Sequence, residues 1–356
     1  MSTLYIHIPF CNKKCPYCDF FSIAGLSSKT KTQYTSALLK ELKSNKDILK
    51  TNVKTLYFGG GSPVLLGMNN LEIIIKKIKP LLNKKAEVTI EVNPDQLENK
   101  KTINKHLKKL GITRISIGVQ TIKKDILTLI ERKYDLSNLV KNIHWFKDNK
   151  IDVSLDFMFA LPRQRIKDLK QDLDFIEKEK PHHVSFYMFT PPERYKHTNL
   201  CPDEKETEKM FALIHSRLLK IGYSHYEVSN FALKNKESKH NSVYWNYTSY
   251  LGLGSGAHSF LKEKSMRKWN RKDINYYIKH PNSSYDFEIL DKEKTRAEKI
   301  MLGLRLLNKG MGANLVDKKL LSQLIKGNFV SKQNNMIKIN LKALPIMDEI
   351  IRVLIA

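Results

Sequence analysis

What most limits the folds open to this chain is the alternation running through its first 220 residues. Six short apolar, β-branched segments (4–8, 53–58, 87–92, 114–118, 153–158 and 183–188) are separated by longer stretches of helical periodicity, among them 33–42, 71–82, 136–146 and 169–176. Strands that alternate with helices of this length predict parallel βαβ units, hence an α/β fold. Six units fall short of the eight that close a full barrel. The expectation is therefore a partial (β/α)6 barrel, open on one side, with its chemistry gathered at the carboxyl ends of the strands.

The first of those strand ends carries Pro9-Phe10-Cys11, and Cys15 and Cys18 follow. That spacing folds three thiols onto one loop, where they can converge on a single centre. Three cysteines are one short of a closed four-thiolate site, and no histidine stands close downstream to complete a zinc tetrahedron. Three protein ligands with one position open suit chemistry better than scaffolding. With only four cysteines in 356 residues, a disulfide framework is excluded, and in a cytosolic chain the loop reads as metal-binding. Cys201 stands alone in a polar stretch and reads as an ordinary thiol.

The later strand ends are also unusual. The second leads into Gly59-Gly60-Gly61-Ser62-Pro63, where the missing side chains let backbone groups come close to a ligand. The third ends Glu91-Val92-Asn93-Pro94-Asp95, and Glu91 reads either as a ligand contact or as the anchor of a helix N-terminus. The fourth ends at Gln120, with Arg132 one helix later. Asp156 lies inside the apolar run of the fifth, where a carboxylate needs a partner. Its partner is either a ligand, a lysine or a backbone turn. Together Gly60, Glu91, Gln120 and Asp156 would surround one axis, as a polar cofactor across a barrel mouth requires.

The motifs Tyr5-Ile-His-Ile-Pro-Phe-Cys11, Gly59-Gly-Gly-Ser-Pro63, Glu91-Val-Asn-Pro-Asp95, Ile117-Gly-Val-Gln120 and Asp156-Phe-Met-Phe-Ala-Leu-Pro162 occur in order. From Tyr5 to about Phe260 the chain resembles the oxygen-independent coproporphyrinogen III oxidase group of radical S-adenosylmethionine (SAM) proteins. The resemblance implies a [4Fe-4S] cluster on Cys11, Cys15 and Cys18, with SAM on its fourth iron. It implies SAM contacts from Tyr5, Gly60, Gly61, Ser62, Glu91, Gln120, Arg132 and Asp156. It further implies one-electron reduction of SAM to methionine and a 5′-deoxyadenosyl radical.

Two features choose a branch of that group. Oxidases carry a further cysteine two positions after the third, and here Phe20 stands there. His240-Asn-Ser-Val-Tyr244-Trp245 resembles the His-Asn-x-x-Tyr-Trp motif of the HemW haem chaperones. That resemblance implies haem as a bound cofactor, an acceptor haemoprotein as partner, and His240 as the haem ligand, imidazole being a common axial group. The alternatives are a structural His240 beside a core Tyr/Trp pair and, for the whole chain, the oxidase itself. Gly252-Leu-Gly-Ser-Gly256 has the look of a dinucleotide loop, but no acidic βαβ unit follows it, so a close backbone approach at the barrel mouth is expected instead. His258 falls near a second cofactor pocket of the oxidases. Met188-Phe-Thr-Pro-Pro-Glu193 departs from the group, which more often has a glycine turn there.

Three regions follow: a partial barrel over 1–230, a capping and connecting segment over 231–290 that holds the candidate haem motif, and a small, mainly helical, winged-helix-like domain over 291–356. The net charge of +26 is nearly all lysine spread along the chain, without an arginine-rich arm. It predicts no specific nucleic acid and leaves room for peripheral contact with a membrane surface. Absence of a leader-like start and of any long apolar run predicts a soluble, cytoplasmic protein.

Overall fold

The computed structural model describes residues 1–49, 52–97 and 101–355. Each of the six expected strands forms: β1 (Thr3–Ile8), β2 (Val53–Gly60), β3 (Leu82–Val92), β4 (Arg114–Gln120), β5 (Asp152–Phe159) and β6 (His183–Met188). They pair in that order, all parallel. Three strands that the periodicity did not reveal widen the sheet. A hairpin of β7 (Ser224–Glu227) and β8 (Asn230–Ala232) adds antiparallel to β6. β9 (Leu251–Leu253) adds parallel to β1. The order is therefore β9-β1-β2-β3-β4-β5-β6-β8-β7, and its six central parallel strands form the expected open, partial barrel. β9 is three residues of a glycine-containing run, too short to announce itself.

Side chains alternate across a strand with a period of two, and here the two faces differ in kind. Leu4, Ile6, Leu56, Phe58, Ile115, Ile117, Leu155 and Phe157 all point outward and are fully buried. They form one core with the helices wrapped around the sheet: α1 (Ser28–Ser44), α2 (Met68–Ile78), α3 (Lys101–Lys109), α4 (Lys124–Leu129), α5 (Leu136–Asp148), α6 (Ile166–Glu179) and α7 (Glu204–Lys220). Sequence sets these helices locally. Ser27 caps α1 by accepting from the Thr30 N–H, and Tyr34, Leu38, Glu41 and Leu42 follow at helical spacing on its buried face. Asp135 caps α5 the same way through the Asn138 N–H. The inward face of the sheet carries Tyr57, Thr89, Glu91, Ser116, Ser154, Asp156 and Ser185, and a cavity rather than a core lies against it.

The Gly252–Gly256 run does not reach the cavity. The Gly254 N–H donates at 2.9 Å to Glu41, a buried carboxylate of α1 that also accepts from Asn270 and Tyr277. The run thus ties β9 to the helix behind β1. α8 (Lys239–Trp245) carries the His-Asn-x-x-Tyr-Trp residues. After it, β10 (His258–Leu261), β11 (Met266–Asn270) and β12 (Tyr285–Ile289) make a small antiparallel sheet, with the short helix α9 (Ile274–Lys279) between the last two strands. His258 is exposed and stacks on Trp269, 6.2 Å between centroids.

The C-terminal part has its own core, built from Ile300, Leu304, Leu321, Leu324, Ile337, Ile350 and Leu354 among others. It combines α10 (Lys292–Leu304), α11 (Lys318–Lys326) and α12 (Met347–Ile355) with a three-stranded sheet of β13 (Met311–Gly312), β14 (Val330–Gln333) and β15 (Met336–Ile339). Backbone bonds from Val228 to Arg305 and from Leu307 to Tyr226 fasten it to the barrel. Among the described residues no helix is long and apolar enough to cross a membrane.

Candidate functional site

One cavity of about 430 Å³ occupies the concave face of the sheet, and its lining includes Cys11, Cys15, Cys18, Gly60, Gly61, Glu91, Gln120, Arg132 and Asp156. Residues from the carboxyl halves of β2, β3, β4 and β5 and from the loop after β1 thus meet in one place. Tyr5, Ser62 and His240 do not line it.

The cysteine loop hangs from β1 and is held by its neighbours. The Gly61 N–H donates to the Ile8 carbonyl at 2.9 Å and the Ser62 N–H to the Phe10 carbonyl at 2.7 Å. These approaches require glycine. A Cβ on Gly61 would stand 2.6 Å from the Phe10 oxygen, and one on Gly60, whose φ is +115°, would enter the His7 ring at 2.6 Å. The glycines therefore serve contact with the protein as well as open backbone. His7 braces the far side of the loop, its Nε2 lying 3.0 Å from the Phe21 carbonyl and its Nδ1 2.9 Å from the Tyr5 hydroxyl. Burial pushes the His7 imidazole down to about 4. The Ser62 hydroxyl turns inward to Gln96.

All four cysteines are free thiols. Burial pushes the thiols of Cys11 and Cys18 up. Among the described residues no three His, Cys, Asp or Glu side chains are placed to hold a single metal ion. The three cysteines line the same cavity. Arg132 stands beside them, its Nη1 3.9 Å from the Cys15 sulfur, while its Nη2 donates to the Asn93 side chain at 2.8 Å and the Gly118 carbonyl at 2.9 Å.

Glu91 accepts from the Tyr57 hydroxyl at 2.7 Å and the Gly60 N–H at 3.1 Å. Burial pushes its carboxyl up to about 7, the Asp156 carboxylate adding to the rise against those two bonds. Of its two expected readings, the helix anchor does not apply. Among the described residues no cation forms a salt bridge with Asp156, though the Arg114 charge acts on it. It accepts from the hydroxyls of Ser116 at 2.8 Å and Ser185 at 2.8 Å, with Ser154 at 3.4 Å. Burial raises its pKa too. Gln120 ends β4 with φ +67°, a left-handed conformation costly for a side chain, and of a kind that collects at binding sites.

His240 lies elsewhere. It is 1% exposed, its Nδ1 is 3.0 Å from the Thr55 hydroxyl and its Nε2 2.7 Å from the Tyr244 hydroxyl. The ring stacks on Tyr57, and burial pushes the imidazole down to about 3. An axial ligand needs a free lone pair and access to iron, and in this conformation His240 has neither. The same segment instead turns Ser238 and Asn241 into the cavity.

Several residues of the site were not singled out in the sequence: Tyr57, Asn93, Ser116, Ser154 and Ser185, which hold the charged groups in place. Their signal was there, as polar residues recurring every second position in segments otherwise apolar.

The family model of the Radical SAM superfamily matches residues 5–176. The haem chaperone HemW of Buchnera aphidicola subsp. Schizaphis graminum is 38% identical over 295 residues, 79% of this chain and 78% of that protein. HemW of Bacillus subtilis is 32% identical over 324 residues, covering 86% and 83%. In fold, the coproporphyrinogen III oxidase HemN of Escherichia coli, a radical SAM enzyme, superposes with a TM-score of 0.84 at 20% identity, over 98% of this chain and 89% of that one.

Proposed function

The chain belongs to the HemW haem-chaperone family of the radical SAM superfamily, and from that membership we propose that it binds haem, one [4Fe-4S] cluster and SAM, and passes haem to an acceptor haemoprotein. The observation that carries the reading is the single cavity shared by three free thiols and by the polar ends of β2 to β5. Iron–sulfur clusters are held by cysteine thiolates, and three free thiols on one cavity wall are that donor set. Cys11, Cys15 and Cys18 would hold the cluster. When bound, cluster and SAM together supply one-electron chemistry at the cavity mouth.

The chain's own residues divide the remaining work. Arg132, fixed by Asn93 and the Gly118 carbonyl, keeps a positive charge beside Cys15 where a carboxylate can be paired. Glu91, held by Tyr57, offers acceptor oxygens to an ammonium or to hydroxyls. Asp156 and Gln120 offer the same to sugar hydroxyls, with Gly60 and Gly61 presenting bare backbone at the wall. Ser62 and Tyr5 act through their neighbours, Ser62 by fastening the glycine turn and Tyr5 by orienting His7. We place the protein in the cytoplasm, where such thiols stay reduced.

Anaerobic reconstitution tests the reading. Wild-type protein should gain iron, sulfide and cluster absorption, Cys18→Ser should not, and haem should then be taken up stoichiometrically. Supplied with coproporphyrinogen III, SAM and a strong reductant, the protein should leave the propionates intact. Decarboxylation without haem uptake would make it an oxidase.

A further inference from the structure

Resting on the haem-binding reading above, we infer that haem docks at the rim of the cavity, against Phe20 of the cysteine loop and Met188 at the end of β6, and not at His240. Phe20 is 71% exposed and Met188 56%, and both line the same opening. Large apolar side chains this bare, on two separate segments around one cavity, mark a surface built for an apolar ligand. The segments are also pinned to each other. Tyr17 and Phe189 meet edge to face with centroids 6.2 Å apart, and Arg194 donates to the Cys18 carbonyl at 3.4 Å. The exposure of Phe20 and Met188 therefore belongs to a fixed rim.

The chemistry of the rim selects its occupant. A porphyrin gives Phe20 a flat apolar face to stack on. Its iron accepts a thioether sulfur, which Met188 presents, while the three cysteine sulfurs are reserved for the cluster. Its two carboxylates require cations nearby. Lys14 is exposed on the cysteine loop, and Arg194 crosses to that loop, 3.4 Å from Asp19. His240, closed in by Thr55 and Tyr244, has no part at this surface. Haem so placed would lid the cavity and cover the cluster loop from solvent.

Haem titration of cluster-reconstituted protein, followed by Soret absorption, decides the matter. The double variant Phe20→Ala/Met188→Ala should bind at least about tenfold more weakly with its cluster content unchanged. Met188→Leu, which keeps the bulk and removes the sulfur, should move the Soret band. His240→Gln should leave band position unchanged and affinity within about twofold. A double variant that binds like wild type overturns the rim site, and a Met188→Leu spectrum identical to wild type overturns the thioether contact. Loss of haem confined to His240→Gln overturns the inference in favour of the α8 motif. Wild-type protein that takes up no haem at all sinks the haem-binding reading itself.

Discussion

Gly61 makes room for Cys11: a Cβ on the glycine would stand 3.0 Å from the cysteine sulfur and 2.6 Å from the Phe10 carbonyl oxygen behind it. The glycine turn and the cysteine loop are in contact without any side chain between them. Gly61→Ala must push Phe10 and Cys11 outward, since backbone atoms cannot yield as a flexible side chain can. The expected result is a folded protein, with helical circular dichroism like wild type, that retains well under half of the wild-type iron after reconstitution. Wild-type iron content in Gly61→Ala would show that the loop can shift freely and that the close approach has no role in placing Cys11.

His240 should behave as a strut. Replacing it with Ala leaves the Thr55 and Tyr244 hydroxyls unpaired and opens a void against Tyr57, together worth about 3 kcal/mol of folding stability. The pH dependence follows from its low proton affinity. The folded imidazole is pushed from 6.5 to about 3 by burial, so the unfolded chain binds the extra proton first. Its contribution is therefore present above pH 6.5 and is lost as pH falls towards 3. Urea titrations between pH 4.5 and 7.5 should give a shallower slope for His240→Ala than for wild type. Equal slopes would mean that the imidazole is not buried neutral.

Glu91 should make SAM binding respond to pH near neutrality. Burial raises its carboxyl to about 7, so at pH 6 most molecules carry a proton there. A ligand bearing an ammonium and a sulfonium favours the carboxylate, and binding then releases that proton. Affinity should rise as pH increases from about 6 to 8, by up to about tenfold, and level off above. Glu91→Gln should bind more weakly and show no such rise. Isothermal titration in two buffers of different protonation enthalpy reads the proton release directly, and a pH-independent affinity in wild type would remove Glu91 from the ligand.

Much of the barrel was legible in the chain because β-branched runs and helical periodicity are local properties. Leu4 to Ile8 and Leu155 to Phe159 declare themselves without reference to anything distant. The site was legible in a different way, through unusual local groupings such as Cys11-x-x-x-Cys15-x-x-Cys18 and Gly59-Gly60-Gly61. What stayed hidden depends on long-range neighbours. β9 is only three residues, and it pairs with β1 across the separation between Leu4 and Leu251. The sequence shows that Asp156 needs a partner, and Ser154 stands two residues before it on the same face, but that Ser116 and Ser185 join it follows only from the register of the neighbouring strands. His240 was read from a motif, and a motif does not say which way a ring faces. Only the packing of α8 against β2 and Tyr57 does.

The polar inner face of the sheet has a consequence for the life of the protein. An ordinary sheet of this kind buries both faces, whereas here one face meets helices and the other meets whatever enters the cavity. Small molecules are thus the missing layer of the fold, and their supply becomes a term in its stability. A ligand present at a hundred times its dissociation constant adds about 2.7 kcal/mol to the folded state. A cell short of iron or SAM would hold a less durable chain, one that proteases reach more often. The abundance of this protein would then follow the supply of its own cofactors, with no separate regulator required.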